Sequence, residues 1–213
     1  MSAPVPVRPT PGRRALAPLL IVLGGLAIGL PILTFIVRSD DSPTERAFFD
    51  PAAPCAGADR QMWPGSYPEL EARIPAAVAG VAPDQVDSGR FCSEETLGSI
   101  YRAGITEVRF AGGRWSIGTS AGLELGAFSA PGLTAKLQAD EYRRSAEAQQ
   151  GVSVTVAREE PVESRPGYRL ELARGDSRQV IVVWPSADGE VVQSVIGVDV
   201  KDELIGEAIA AFG

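Results

Sequence analysis

The sequence has no histidine, only two cysteines, and few aromatic residues, which make up 7% of its 213 positions. Without imidazole, a Ser–His or Cys–His nucleophile pair, a histidine-ligated metal and the commonest general base are all excluded. The glycine-rich phosphate motifs and the G-x-S-x-G nucleophile motif are also missing from the sequence. We therefore expect a protein that is not an enzyme and that has no metal and no cofactor.

Basic residues are outnumbered, with 20 Lys and Arg against 27 Asp and Glu and a net charge of −7. Arg8, Arg13 and Arg14 precede residue 15, so the rest of the chain carries 17 basic and 27 acidic residues. Such an acidic surface repels nucleic acid and anionic lipid headgroups. We predict that nucleic acid is not a partner.

Charge is missing altogether from residues 15–37, a run bounded by Arg14 and Arg38. As a helix rising about 1.5 Å per residue it is roughly 34 Å long, enough to cross a hydrocarbon core of about 30 Å. A cleaved signal peptide has a shorter apolar region that ends in a small-x-small site, and this run has neither property. We predict an uncleaved signal anchor, that is, a single-pass transmembrane helix at 15–37.

Arginine is in excess before this helix, so the positive-inside rule places the N-terminus in the cytoplasm. The predicted order is a disordered cytoplasmic tail at 1–14, the transmembrane helix, an extracytoplasmic linker at 38–65 and an extracytoplasmic domain at 66–213. The predicted location is therefore the cell membrane, with the C-terminal domain outside the cytoplasm.

Gly25 and Gly29 form a G-x-x-x-G pair inside the predicted transmembrane helix. Small residues at this spacing let two helices approach closely, which predicts a homodimer contact. The alternative is ordinary glycine content, because glycine is frequent in membrane helices.

The two cysteines, Cys55 and Cys92, both lie on the predicted outer side. An even pair in a secreted domain indicates a disulfide, and this one would close a loop of 38 residues. A redox or metal pair is the alternative, but the spacing is not C-x-x-C and histidine is absent.

Hydrophobic periodicity in the domain alternates between the patterns of helices and strands. Capping residues predict helices that begin after Ser93 and Thr134, and Gly112-Gly113 predicts a hairpin turn. Helices are predicted at 66–79, 93–104, 135–149 and 201–212, and strands at 106–110, 114–117, 123–128, 152–156, 168–172, 180–184 and 191–198. This order predicts an α+β domain with a mainly antiparallel twisted sheet and helices packed on one face.

The order of elements through Ala130-Pro131-Gly132-Leu133-Thr134, the strand Val152–Val156 and the stretch Ser164–Leu170 resembles the PsbP-like fold. The resemblance covers about residues 105–213. It implies a non-catalytic binding or accessory module and transfers no site residue. The predicted membrane anchor and the cysteine-linked segment before residue 105 depart from that group.

Four aromatic residues on predicted apolar faces are candidates for a ligand pocket between the sheet and the alanine-rich helix at 135–149: Trp115, Tyr142, Tyr168 and Trp184. The alternative is that these rings only fill the core. Three carboxylate pairs at element ends have ordinary structural explanations as helix first turns or solvated turns: Glu94-Glu95, Glu159-Glu160 and Asp202-Glu203.

The sequence thus predicts a membrane-anchored, extracytoplasmic accessory or binding module that contacts an envelope protein or an apolar ligand without catalysis. An anchored hydrolase that uses carboxylates alone is the alternative, and two acids facing one another with raised pKa values would favour it.

Overall fold

The computed structural model describes Cys55 and residues 64–212. Together these residues form one seven-stranded antiparallel sheet with helices, which confirms the α+β class. The strands are β1 (Gln85–Phe91), β2 (Val108–Ile117), β3 (Ala121–Ser129), β4 (Ser153–Glu159), β5 (Tyr168–Arg174), β6 (Ser177–Pro185) and β7 (Val192–Val198). The helices are α1 (Pro68–Glu71), α2 (Glu94–Leu97), α3 (Ser99–Arg102), α4 (Ala135–Glu147) and α5 (Asp202–Phe212). The strand order is β1-β2-β3-β7-β6-β5-β4, and each neighbouring pair is antiparallel.

Helices cover both faces of this sheet, so the prediction that they pack on one face is wrong. One face, which we call the α4 face, packs against α2, α3 and α4 through residues such as Leu97, Ile100 and Tyr142. The opposite face, the α5 face, packs against α1 and α5 through residues such as Leu70 and Ile205. The central strands need a helical layer on each face of the sheet. In β6, successive apolar side chains alternate between the two cores, and each set must be shielded from water.

The helix starts predicted after Ser93 and Thr134 are confirmed by their caps, whereas the helix predicted at 66–79 is the single turn Pro68–Glu71 without a side-chain cap. The Ser93 hydroxyl accepts a hydrogen bond from the Thr96 amide at 3.1 Å, and the Thr134 hydroxyl accepts one from the Leu137 amide at 3.2 Å. The single helix predicted after Ser93 is instead two short helices, because Gly98 between them has a φ of +50°.

Strand β2 runs straight through Gly112-Gly113, so the predicted hairpin turn at these residues is wrong. The turn lies further on, between β2 and β3, where Gly118 has a φ of +81°. Glycine is required at position 113 for another reason: a Cβ there would lie 2.6 Å from the Ile74 side chain. The sequence also missed β1, whose run Gln-Val-Asp-Ser-Gly-Arg-Phe lacks a clean alternation of apolar and polar residues.

Cys55 and Cys92 form the predicted disulfide, with their Cα atoms 5.5 Å apart. Cys92 lies between the end of β1 and the Ser93 cap, so the bond ties Cys55 to the end of this strand. Among the described residues, no helix is long and apolar enough to cross a membrane. The predicted helix at 15–37, its Gly25 and Gly29, and the tail at 1–14 lie outside the described residues.

Candidate functional site

Polar side chains lie on the α4 face where β1, β2 and β3 are neighbours. In antiparallel pairs, residues that lie directly opposite one another project to the same face of the sheet. Gln85, Arg114 and Glu124 form one such row across the three strands. The adjacent row contains Asp87, Gly112, Gly126 and Ser194, the last of these on β7. We call the polar cluster the following side chains, which include two from α4: Gln85, Asp87, Arg114, Glu124, Gln138, Tyr142 and Ser194.

Helix α4 contributes Gln138 and Tyr142, which are one turn apart and are 2% and 0% exposed. Ala135, Ala139 and Ala146 of the same helix are also buried, and these small side chains allow close packing on the sheet. Burial raises the pKa of the Tyr142 hydroxyl, and the nearby side chains of Ser194 and Gln138 oppose that shift. The hydroxyl nonetheless makes no hydrogen bond to any described residue.

Glu124 is the most perturbed acid of the polar cluster. It is 7% exposed, and its Oε2 atom is buried with no hydrogen-bond partner within the described part of the chain. Burial raises the pKa of this carboxyl to about 8, against the opposing charge of Arg114. At neutral pH the carboxyl is therefore mostly protonated and can donate as well as accept a hydrogen bond.

Arg114 lies directly opposite Glu124 in the sheet register, but the two side chains form no ion pair. The guanidinium instead donates from Nη2 to Gln85 Oε1 at 3.3 Å, and its Nε atom is buried without a partner in residues 64–212 or at Cys55. The Gln85 amide also donates to Asp87, whose pKa burial raises. The donor Arg114 Nε and the acceptor Glu124 Oε2 therefore both lie in the polar cluster without a hydrogen-bond partner among the described residues.

Two glycines form the sheet surface between these charges. A Cβ added at Gly112 would meet no atom nearer than the Leu125 carbonyl oxygen, at 3.8 Å. At Gly126, in contrast, an added Cβ would lie 2.7 Å from the Phe128 ring and 3.0 Å from Ser194 Oγ. A methyl group could therefore be added at Gly112, next to Arg114 and Asp87, whereas at Gly126 the neighbouring side chains would have to move. Gln85, Gly112 and Arg114 are half-buried, so this side of the polar cluster is reached from the solvent.

The four predicted pocket aromatics are divided between the two faces. Tyr142 and Tyr168 pack in the core of the α4 face, and Trp115 and Trp184 pack in that of the α5 face. Trp115 Nε1 donates to the Val81 carbonyl at 2.8 Å, and Trp184 packs edge-on against Phe212. The four rings therefore do not line one space, and only Tyr142 belongs to the polar cluster.

The carboxylate pairs lie at element ends, as predicted. Glu94 and Glu95 are exposed in the first turn of α2. Asp202 accepts hydrogen bonds from Arg178 at 2.9 Å and Arg169 at 3.3 Å, which joins the start of α5 to β5 and β6. None of these acids belongs to the polar cluster, and within the described residues no three acidic or cysteine side chains are placed to hold a metal ion.

Sequence reasoning missed Asp87, Arg114, Glu124 and Gln138. Glu124 stands between Leu123 and Leu125, a pattern that normally places the polar residue on a solvated face. One sequence signal could have located it: Phe128 is apolar and has the same parity as Glu124, which indicates that this face of the strand is buried as well. Comparison with protein families found no family model that matches the chain, and comparison with curated proteins found none that matches it.

Proposed function

We propose that this protein is a membrane-anchored, extracytoplasmic binding module whose ligand lies in the polar cluster and is not chemically altered there. One observation carries the proposal: Glu124 Oε2, Arg114 Nε and the Tyr142 hydroxyl are buried on one face without hydrogen-bond partners among the described residues. A buried polar group without a hydrogen bond costs about 1–3 kcal/mol, and a ligand that bonds to such groups recovers that cost.

The anchor and the compartment rest on separate arguments. The uncharged run at 15–37 and the arginines before it support a signal anchor with the domain outside. The pairing of Cys55 with Cys92 is what an oxidising compartment favours. The resemblance to the PsbP-like fold also implies a binding or accessory module. The polar groups of the cluster favour a polar small molecule over the apolar ligand that the sequence suggested.

Native mass spectrometry of the full chain, extracted from its own membranes in mild detergent, tests this proposal. We expect a fraction of the protein to carry a noncovalent small-molecule adduct of constant mass. Glu95→Gln, which changes an exposed acid at α2, should keep the adduct, whereas Glu124→Leu should lose it. Bare protein mass in every preparation would contradict the proposal.

A carboxylate-only hydrolase is the second candidate, and one observation favours it. Asp87 and Glu124 both have raised pKa values, and they lie in adjacent rows beside Arg114. Glycoside hydrolysis needs one protonated and one ionised carboxyl. If the wild-type chain releases reducing ends from envelope glycans, and both Glu124→Gln and Asp87→Asn lose this activity, the protein is a hydrolase. If no reducing ends are released and the adduct is retained, the protein is a binding module.

A further inference from the structure

We infer that the polar cluster binds a small zwitterion that carries a primary ammonium and a carboxylate on one carbon atom, as an α-amino acid does. This inference rests on the proposed function and specifies its ligand. It starts from Arg114 and Glu124, which oppose each other in the register without pairing.

The atoms without partners define the complementary ligand. Arg114 Nε–H is a donor that a ligand carboxylate satisfies, and Glu124 Oε2 is an acceptor that a ligand ammonium satisfies. The Tyr142 hydroxyl can bond to either group. A cationic ligand would leave Arg114 unsatisfied, and an anionic ligand would bond to Glu124 only while that carboxyl is protonated. A ligand with both charges satisfies both residues.

Other side chains of the cluster already make hydrogen bonds to one another, and these bonds set the orientation of the ligand. Gln85 accepts from the Arg114 guanidinium and donates to Asp87, so it holds both side chains at the β1 side. This arrangement places the ligand carboxylate toward β2 and the ammonium toward Glu124 on β3. Asp87 lies in the next row and adds negative charge near the ammonium.

The glycine surface limits the size of the ligand. An added Cβ at Gly112 would meet no atom nearer than 3.8 Å, whereas Phe128 and Ser194 crowd the position of Gly126 in the same row. This crowding favours a small ligand such as a single amino acid.

Binding should be coupled to proton release. Without ligand the Glu124 carboxyl is mostly protonated at pH 7, because burial raises its pKa to about 8. An adjacent ammonium favours the ionised carboxylate and lowers that pKa. Other charged groups that act on the site are Arg114 and Asp87, and Glu71 raises the pKa of Asp87 further. We expect part of a proton to be released for each ligand bound.

Isothermal titration calorimetry of the full chain in detergent micelles tests the inference with L-alanine as the probe. Ethylamine, which lacks the carboxylate, and propionate, which lacks the ammonium, are its matched halves. We expect L-alanine to bind at least about tenfold more tightly than either half, equivalent to about 1.4 kcal/mol. Titration at pH 7 in buffers of different ionisation enthalpy should show proton release with wild type and none with Glu124→Gln.

Three variants locate the binding. Arg114→Gln and Glu124→Gln should each weaken L-alanine binding about tenfold or more by removing one charged partner. Gly112→Ala adds a methyl group that the fold accommodates but that occupies the ligand space, so it should weaken binding with little change in melting temperature. Glu95→Gln is the control and should bind normally.

The outcomes separate this inference from the proposed function. If either half-molecule binds as tightly as L-alanine, or if Gly112→Ala retains full affinity, the zwitterion inference is overturned. If no probe binds while the chain carries a small-molecule adduct, the inference fails and the binding module stands. If no probe binds and no adduct is found, both fail.

Discussion

Arg114 and Glu124 lie directly opposite one another on β2 and β3, yet the guanidinium bonds to Gln85 and the Glu124 carboxyl is left without a partner. Opposite charges at this cross-strand position normally stabilise a sheet. Here the acid is buried, its pKa is raised to about 8, and its neutral form is therefore favoured. This unpaired arrangement lowers the free energy of unfolding.

The first prediction concerns stability against pH at Glu124. The unfolded chain loses this proton near pH 4.5, whereas the folded chain holds it to about pH 8. The contribution of Glu124 to stability is therefore complete below pH 4.5 and is lost as the pH rises to 8. Relative to Glu124→Gln, the free energy of unfolding of wild type should fall over this window by at most about 5 kcal/mol.

Urea denaturation at half-unit pH steps measures that difference. Glu95→Gln, which removes an exposed carboxyl, should show the same pH dependence as wild type. Parallel curves for wild type and Glu124→Gln from pH 4.5 to 8 would show that Glu124 titrates normally and is not in a dry environment.

The second prediction concerns the Tyr142 hydroxyl. Because it is buried and bonds to no described residue, Tyr142→Phe should leave the unfolding free energy of the ligand-free protein unchanged or raise it by up to about 1 kcal/mol. Tyr142→Ala should cost about 3–5 kcal/mol, because it leaves a cavity under α4. A loss above about 1.5 kcal/mol in Tyr142→Phe would show that the hydroxyl has a strong partner in the folded protein.

Much of the fold after residue 105 could be predicted from local patterns. Helix α4 with its Thr134 cap and the strand that contains Val180–Trp184 are predicted from local sequence, and each is found. Asp188-Gly189, a pair typical of tight turns, lies between β6 and β7. These features depend on residues that are near one another in the chain.

The features that the sequence did not predict depend on distant contacts. Gly112-Gly113 has the composition of a tight turn, and only the packing of Ile74 above Gly113 shows why a strand needs glycine there. Glu124 alternates with Leu123 and Leu125, and nothing in the local sequence shows that the opposite face of this strand is buried as well. The division of the four aromatics between two faces likewise requires the strand register and the placement of α1 and α5.

The third prediction concerns the disulfide. Cys55–Cys92 closes a loop of 38 residues, for which the chain-entropy model gives about 4 kcal/mol of stability. The double variant Cys55→Ser/Cys92→Ser should lose about that amount in chemical denaturation of the full chain. Dithiothreitol should lower the stability of wild type to the level of the double variant and leave that variant unaffected. Equal stability of wild type and variant without reductant would contradict the bond.

The fourth prediction concerns a helix cap that one helix provides to another. Glu141 on α4 accepts hydrogen bonds from the backbone amide and the hydroxyl of Ser99, each at 2.5 Å, at the start of α3. Because this contact joins residues 42 positions apart, the sequence did not predict it. Glu141→Ala should cost about 1–2 kcal/mol by leaving these donors without an acceptor. Glu147→Ala, at an exposed position of the same helix, should change stability by less than about 0.5 kcal/mol.

A double-mutant cycle with Gly98 tests whether Glu141 is held against the α2–α3 junction. A Cβ added at Gly98 would collide with the Glu141 carboxylate, and the φ of +50° there also disfavours alanine. Gly98→Ala should therefore be costly in the wild-type background and less costly when Glu141→Ala has removed the collision, with only the backbone strain remaining. Equal costs in both backgrounds would mean that α4 does not hold its carboxylate over Gly98, and the cap would then be absent in solution.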